Sequence, residues 1–169
     1  MFKPGDVVMQ EKTMVNKVNF KDNKQNRLSI VLFRYEENNK LYYATVPVTN
    51  ATRGTYNKII SKNHLYMPYS ILNDTKFCCA KIDSIYLYEE NNLTKTDINI
   101  NEHTLMLLFK KILTIEIEDY QKEIYDFIKN MIKDYMDRCV SKEKQEKQKI
   151  LKERKEKRKI LKQTYKNNK

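Results

Sequence analysis

The sequence predicts a β-rich α+β fold, with a small strand domain over residues 1–118 and a helical extension over 119–169 that turns strongly basic from 141. Three observations lead there. Up to about residue 88, short apolar runs rich in β-branched and aromatic residues alternate with polar, turn-like stretches. At Asn101 the apolar spacing changes to three and four residues, which is helical. Beyond Val140 the apolar residues thin out while Lys and Arg accumulate, with no Gly or Pro to break a helix.

Taken in order, Gly5-Asp6-Val7-Val8-Met9 reads as a turn leading into a first strand. Residues 10–26 are polar and read as a long mobile loop, a length that in compact domains is commonly functional or disordered. Leu28–Tyr35 and Lys40–Val48 form a predicted hairpin about the polar turn Glu36-Glu37-Asn38-Asn39. Pro47 cannot donate to a ladder, so the second strand is expected to end there or to lie at an edge. Residues 50–57, with Gly54, read as a surface loop, and short strands are expected near 58–61 and 64–67. Phe77–Tyr88 reads as one long or bent strand, closed by Glu-Glu-Asn-Asn. One helix is expected from Asn101 through Ile112, and a second carries Tyr120, Ile124, Phe127, Ile128, Met131 and Tyr135 on one face. The tail is expected to continue that second helix, supported by Glu143–Lys147 and Glu153–Lys157 pairs.

Composition narrows the function. No apolar run is long enough for a transmembrane helix and the start lacks the order of a signal peptide, so a cytoplasmic protein with no membrane partner is expected. Cys78, Cys79 and Cys139 form no Cys-x-x-Cys pair, and an odd number argues for reduced thiols, with packing the expected role of Cys78 and Cys79 in their apolar run. His64 and His103 stand far apart with no local partner motif, so no metal site and no cofactor are expected. Residues 141–169 hold 13 Lys/Arg against 4 Glu, or +9, of the formal +11, and residues 1–140 are nearly neutral at +2.

Cleavage of an RNA phosphodiester needs no metal, because the substrate's own 2′-hydroxyl can attack the adjacent phosphorus. The protein must orient the strand, move protons and stabilise charge on the phosphoryl oxygens. An arginine suits the last task, and a nearby hydroxyl adds a hydrogen bond at the same centre. Arg27 precedes the second strand and Thr49 follows the third. Hairpin pairing around the 36–39 turn brings positions 27 and 49 to one end of the sheet, with a bulge able to shift the register.

The order of Gly5-Asp6-Val7-Val8, Arg27 before Ile30-Val31-Leu32, Pro47-Val48-Thr49, and Ser70-Ile71-Leu72 before Lys76–Leu87 resembles the MazF/PemK family of toxin endoribonucleases, over roughly residues 2–115. The resemblance implies a small SH3-like barrel with a terminal helix, usually a homodimer, that cuts single-stranded RNA at short sequences without metal. It also implies a cognate antitoxin protein occupying the RNA groove, a loop over that groove at residues 16–26, and Arg27 and Thr49 as the catalytic pair. The chain departs from the family pattern in having no glycine in that loop and Leu28 where a proline commonly follows the arginine.

Lys21, Lys24, Arg53 and Lys58 are candidate phosphate contacts, and Tyr56 a candidate for stacking on unpaired bases. Arg53 and Lys58 also read as ordinary solvated loop charges, and His64 reads either as an acid or base or as an ordinary strand-edge histidine. The basic tail admits three readings: an RNA- or ribosome-binding segment, a docking arm for an acidic partner, or a solvated helix shaped by coding bias. Two alternatives stand beside the nuclease reading: a non-catalytic RNA- or ribosome-binding module, and a toxin that acts by binding another protein, as in the CcdB family.

Overall fold

The computed structural model describes residues 1–10, 27–50, 64–67, 78–116 and 122–167. These form an α+β protein whose strands pair antiparallel throughout: β1 (Asp6–Gln10), β2 (Arg27–Glu37), β3 (Lys40–Asn50), β4 (Leu65–Met67), β5 (Cys78–Ala80), β6 (Tyr86–Glu89) and β7 (Leu93–Asn99). Helices α1 (Glu102–Thr114) and α2 (Lys122–Asn167) follow. Six strands lie in the order β4-β5-β3-β2-β1-β7, and β6 pairs with β3 off that path. A short 3-10 helix, Glu90–Asn92, leads directly from β6 to β7. No described helix is long and apolar enough to cross a membrane.

The β2–β3 hairpin is tighter than the four-residue turn expected at 36–39. Glu36 and Glu37 stay in the ladder, opposite Leu41 and Lys40, leaving only Asn38 and Asn39 to turn. Both hold left-handed backbone, at φ 51° and 58°. Two such residues make the hairpin turn whose twist matches the flanking strands, and Asn tolerates that conformation better than any other residue with a Cβ. A bulge follows at Leu32, between the pairs Val31↔Thr45 and Phe33↔Ala44. The inserted residue shifts the alternation by one, so Leu32 lacks a partner on β3 while it, Val31 and Phe33 all stay buried.

β3 extends beyond Pro47 because it changes partners. It pairs with β2 up to Pro47 and with β5 from Val48 to Asn50, while β6 takes the edge along Tyr42–Thr45. The expected single strand over Phe77–Tyr88 is two, with a turn at residues 81–85. A tertiary contact explains the break: the buried Tyr125 hydroxyl of α2 donates to the Ile82 carbonyl (2.8 Å) and accepts from the Ile85 amide (3.3 Å), satisfying backbone groups that a continuous ladder would have used. β7 was not expected at all. Only Leu93 in it is buried, and an edge strand reading Leu-Thr-Lys-Thr-Asp-Ile-Asn gives no apolar alternation to detect.

Both faces of the central strands are buried. One face carries the cluster Phe2, Val8, Val31, Tyr43, Tyr88 and Leu93. Residues of the opposite alternation, Val7, Ile30, Val46 and Val48, are buried as well, as are Leu105, Leu108, Phe109 and Ile112 of α1. Gly5 joins these parts: its amide donates to the Val31 carbonyl (2.8 Å) and its carbonyl accepts from the Ile100 amide (2.9 Å). Its φ is +92°, and a Cβ there would meet the Ile100 carbonyl oxygen at 3.2 Å, so glycine is required. Asn101 caps α1, its Oδ1 accepting from the Thr104 amide at 2.8 Å. The first turns of α2 bury Tyr125, Ile128 and Ile132, and Lys129 donates to the Ile115 carbonyl (2.8 Å).

The chain divides into two compact units, Met1–Ile132 and Lys133–Lys169. The second is helical to Asn167, and its residues 141–158 are exposed without exception.

Candidate functional site

At the end of the sheet away from the Asn38-Asn39 turn, the strands carry buried polar side chains. The register sets Val8 and Pro47 on either side of Ser29, Thr45 beside Val31, and Gln10 beside Arg27. Gln10 and Thr45 belong to β1 and β3, yet they meet across β2: the Gln10 amide donates from Nε2 to Thr45 Oγ1 at 2.8 Å. A diagonal of that length passes over the position of Ser29, where a larger side chain would stand in its way. Tyr88 donates to Gln10 Oε1 at 3.0 Å, and Thr45 in turn donates to the Tyr86 carbonyl at 3.5 Å. Gln10, Thr45 and Tyr88 are all buried, so this relay from β6 through β1 to β3 ties three strands together in a low-dielectric interior.

Sequence reasoning missed Gln10, assigning it to the polar loop, whereas it ends β1 and is 4 % exposed. The available signal was Thr45, a hydroxyl alternating with Tyr43 and Pro47 along an otherwise apolar strand.

Arg27 opens β2 opposite Gln10. Thr49 is half-buried in β3 and pairs with Cys79 of β5. The β2–β3 ladder ends at Ser29↔Pro47, and each candidate stands two positions beyond that pair on its own strand. Lys21, Lys24, Arg53, Tyr56 and Lys58 lie outside the described residues.

At the other end of the interior, the Tyr43 hydroxyl accepts from the Phe2 amide (3.3 Å) and donates to a Glu90 carboxylate oxygen (3.2 Å). Burial raises the Tyr43 hydroxyl above its ordinary value. The Met1 ammonium, 3.1 Å from Glu90, holds that carboxyl below its usual range.

Two clefts flank the hairpin turn. One, of about 390 Å³, is lined by Tyr35, Glu37, Leu87, Glu123, Ile124 and Phe127 among others, and the second, of about 520 Å³, by Met1, Arg34, Tyr35 and Leu41 among others. Both lie near the Glu37 end of β2, roughly 30 Å along the strand from Arg27. The first carries three carboxylates, Glu36, Glu37 and Glu123, and the second sets Arg34 against Glu36; neither includes Arg27 or Thr49.

Cys78 and Cys79 are buried, and burial pushes the Cys78 thiol up to about 11, so it packs as a neutral group. His64, expected at a strand edge, is 1 % exposed, with Nδ1 3.9 Å from an Asp83 oxygen, longer than a hydrogen bond. Among the described residues no group of three His, Cys, Asp or Glu is arranged to hold a metal ion. No protein-family model matches this chain, and neither does any curated protein.

Proposed function

We propose that residues 1–118 form a small SH3-like barrel and that the chain is a metal-independent, cytoplasmic endoribonuclease of the MazF/PemK type. The strand order supports the barrel reading. β7-β1-β2-β3-β6 is a continuous path, and the Glu90–Asn92 turn keeps its two outermost strands within a short connection of each other, as a sheet curling toward closure would.

The observation that carries the catalytic reading is the register at one end of that path, where Arg27 and Thr49 end adjacent strands next to the Gln10–Thr45–Tyr88 relay. A relay that fixes β1, β3 and β6 against one another preorganises the strand ends, which is what charge stabilisation at a phosphoryl centre demands. In the proposed reaction the RNA 2′-oxygen loses its proton and bonds to phosphorus, and the bond from phosphorus to the 5′-oxygen breaks, with that oxygen taking a proton. The products carry a 2′,3′-cyclic phosphate and a 5′-hydroxyl. Arg27 stabilises the phosphoryl charge and Thr49 donates a further hydrogen bond. A homodimer and a cognate antitoxin follow from the same resemblance.

Incubating the purified chain with mixed-sequence single-stranded RNA in EDTA tests the reading. Site-selective cleavage with cyclic-phosphate ends, reduced about 10²-fold or more in both Arg27→Ala and Thr49→Ala, is the expected result. Folded protein that leaves the RNA intact would instead favour a non-catalytic binding module. Toxicity that survives both substitutions would favour action through a protein target.

A further inference from the structure

Residues 141–158 are helical and each of them is exposed, so no burial accounts for their charge among the described residues. The charge is not spread evenly around the helix. At about 100° per residue, Glu143, Glu146, Glu153 and Glu156 all fall within one sector of roughly 140°. The opposite side carries Lys144, Lys147, Lys152, Arg154, Lys155 and Arg158, with no acidic residue among them. Those residues run along about 20 Å of helix. One i,i+4 pair, Lys147–Glu143 at 3.8 Å, bridges the sector boundary, but both side chains are mostly exposed and such a pair is worth little against a better anion.

We infer that this basic stripe is a binding surface for the phosphate backbone of RNA, read without regard to sequence. A solvated helix needs no segregation of its carboxylates to one side. A stripe cleared of acidic residues suits a linear polyanion, which offers a charge at every repeat and gains affinity by counterion release. The apolar residues do not fit other partners. Ile150 and Leu151 point about 100° apart and make no wide face for a membrane surface, and the stripe holds no buried aromatic anchor of the kind protein interfaces rely on. The choice of RNA over DNA rests on the endoribonuclease reading; the phosphate-binding stripe does not.

The test uses the full chain and a fluorescent 2′-O-methyl RNA, which lacks the attacking hydroxyl and cannot be cleaved, so binding is measured whether or not the chain is a nuclease. Two triple variants change the net charge equally. Lys144→Glu/Lys155→Glu/Arg158→Glu reverses the stripe, and Lys142→Glu/Lys149→Glu/Lys157→Glu reverses lysines standing among the glutamates. The helix is about 10–12 Å across and the screening length at 0.15 M salt is about 8 Å, so the far side is largely hidden from a docked strand.

The stripe variant is expected to bind at least tenfold more weakly and to lose about 2 from the slope of log affinity against log salt, while the control stays within threefold of the parent. Circular dichroism checks that both keep their helix, and Lys144→Gln/Lys155→Gln/Arg158→Gln repeats the comparison without added acids should the first variant lose it. Equal weakening by both triples, or none by the stripe variant, would overturn the inference. Tighter binding to duplex DNA than to RNA would overturn the RNA assignment. Binding that survives Arg27→Ala but fails with the stripe variant separates this surface from the proposed catalytic pair.

Discussion

Tyr125, Ile128 and Ile132 are buried on the first turns of α2, whereas residues 141–158 of that helix are exposed without exception. The two stretches adopt the same backbone for different reasons. The first is held by an apolar stripe and by specific bonds, Tyr125 to the 82–85 turn and Lys129 to the Ile115 carbonyl. The second has only what is local: helix-favouring Lys, Glu, Gln and Arg, acid–base pairs of a few tenths of a kcal/mol, and freedom from Gly and Pro. The charge divides along the same line, +2 over residues 1–132 and +9 over 133–169. Burial keeps Lys, Arg, Asp and Glu out of the interior of the first region among the described residues, and exposure leaves the second free to carry a field.

The contrast breaks most sharply under truncation of apolar side chains. Ile128→Ala is expected to cost about 2–5 kcal/mol, because it opens a cavity in a packed interior, whereas Leu151→Ala is expected to change stability by less than about 0.5 kcal/mol. Urea unfolding of both variants measures this, and similar losses would mean that Leu151 is packed against something. Within the first region, Gln10→Leu leaves the Tyr88 and Thr45 hydroxyls without their shared partner and is expected to cost about 1–3 kcal/mol by the same measurement. A neutral result would show the relay to be dispensable to the fold.

The hairpin turn provides a smaller effect. Asn39→Val places a β-branched residue at φ 58° and is expected to lower stability by about 1–2 kcal/mol, while Asn39→Gly holds or raises it. If valine and glycine behave alike in thermal melts, the turn does not use a left-handed residue there.

The cysteines give the smallest effect at neutral pH and compare the two regions directly. Cys139, half-exposed on the long helix, is expected to react with iodoacetamide before buried Cys78 and Cys79, with sites assigned by peptide mapping. The folded Cys78 value, about 11, lies above the ordinary 9.0. The unfolded chain therefore loses that proton first, and the contribution of this thiol to stability is full below pH 9 and falls as pH rises toward 11. Cys78→Ser, with a hydroxyl that does not ionise in this range, should flatten that alkaline slope.

Several elements were legible because their physics is local. The residues of β1, β2 and β3 reveal themselves by β-branched and aromatic runs, α1 by its Asn101 cap and three–four spacing, and the long helix by its composition. Less local features were hidden. β7 stands at an edge and shows water nearly every side chain, so it has no pattern, and the 81–85 turn is set by a tyrosine 40 positions away. Of the candidate site, the alignment of positions 27 and 49 could be reasoned from the hairpin. Its buried support could not, since a glutamine next to a polar loop looks solvated until Thr45 and Tyr88 arrive from other strands.

The sequence by itself determined the order of strands then helices, the near-neutral body and the basic extension, because periodicity, propensity and charge are properties of neighbouring residues. Tertiary structure decided which residues flank one another across the sheet: the change of partner along β3, the bulge at Leu32, and the burial of Gln10 with Thr45 and Tyr88. Those outcomes depend on contacts between residues tens of positions apart, whose energies exist only once the chain has closed around them.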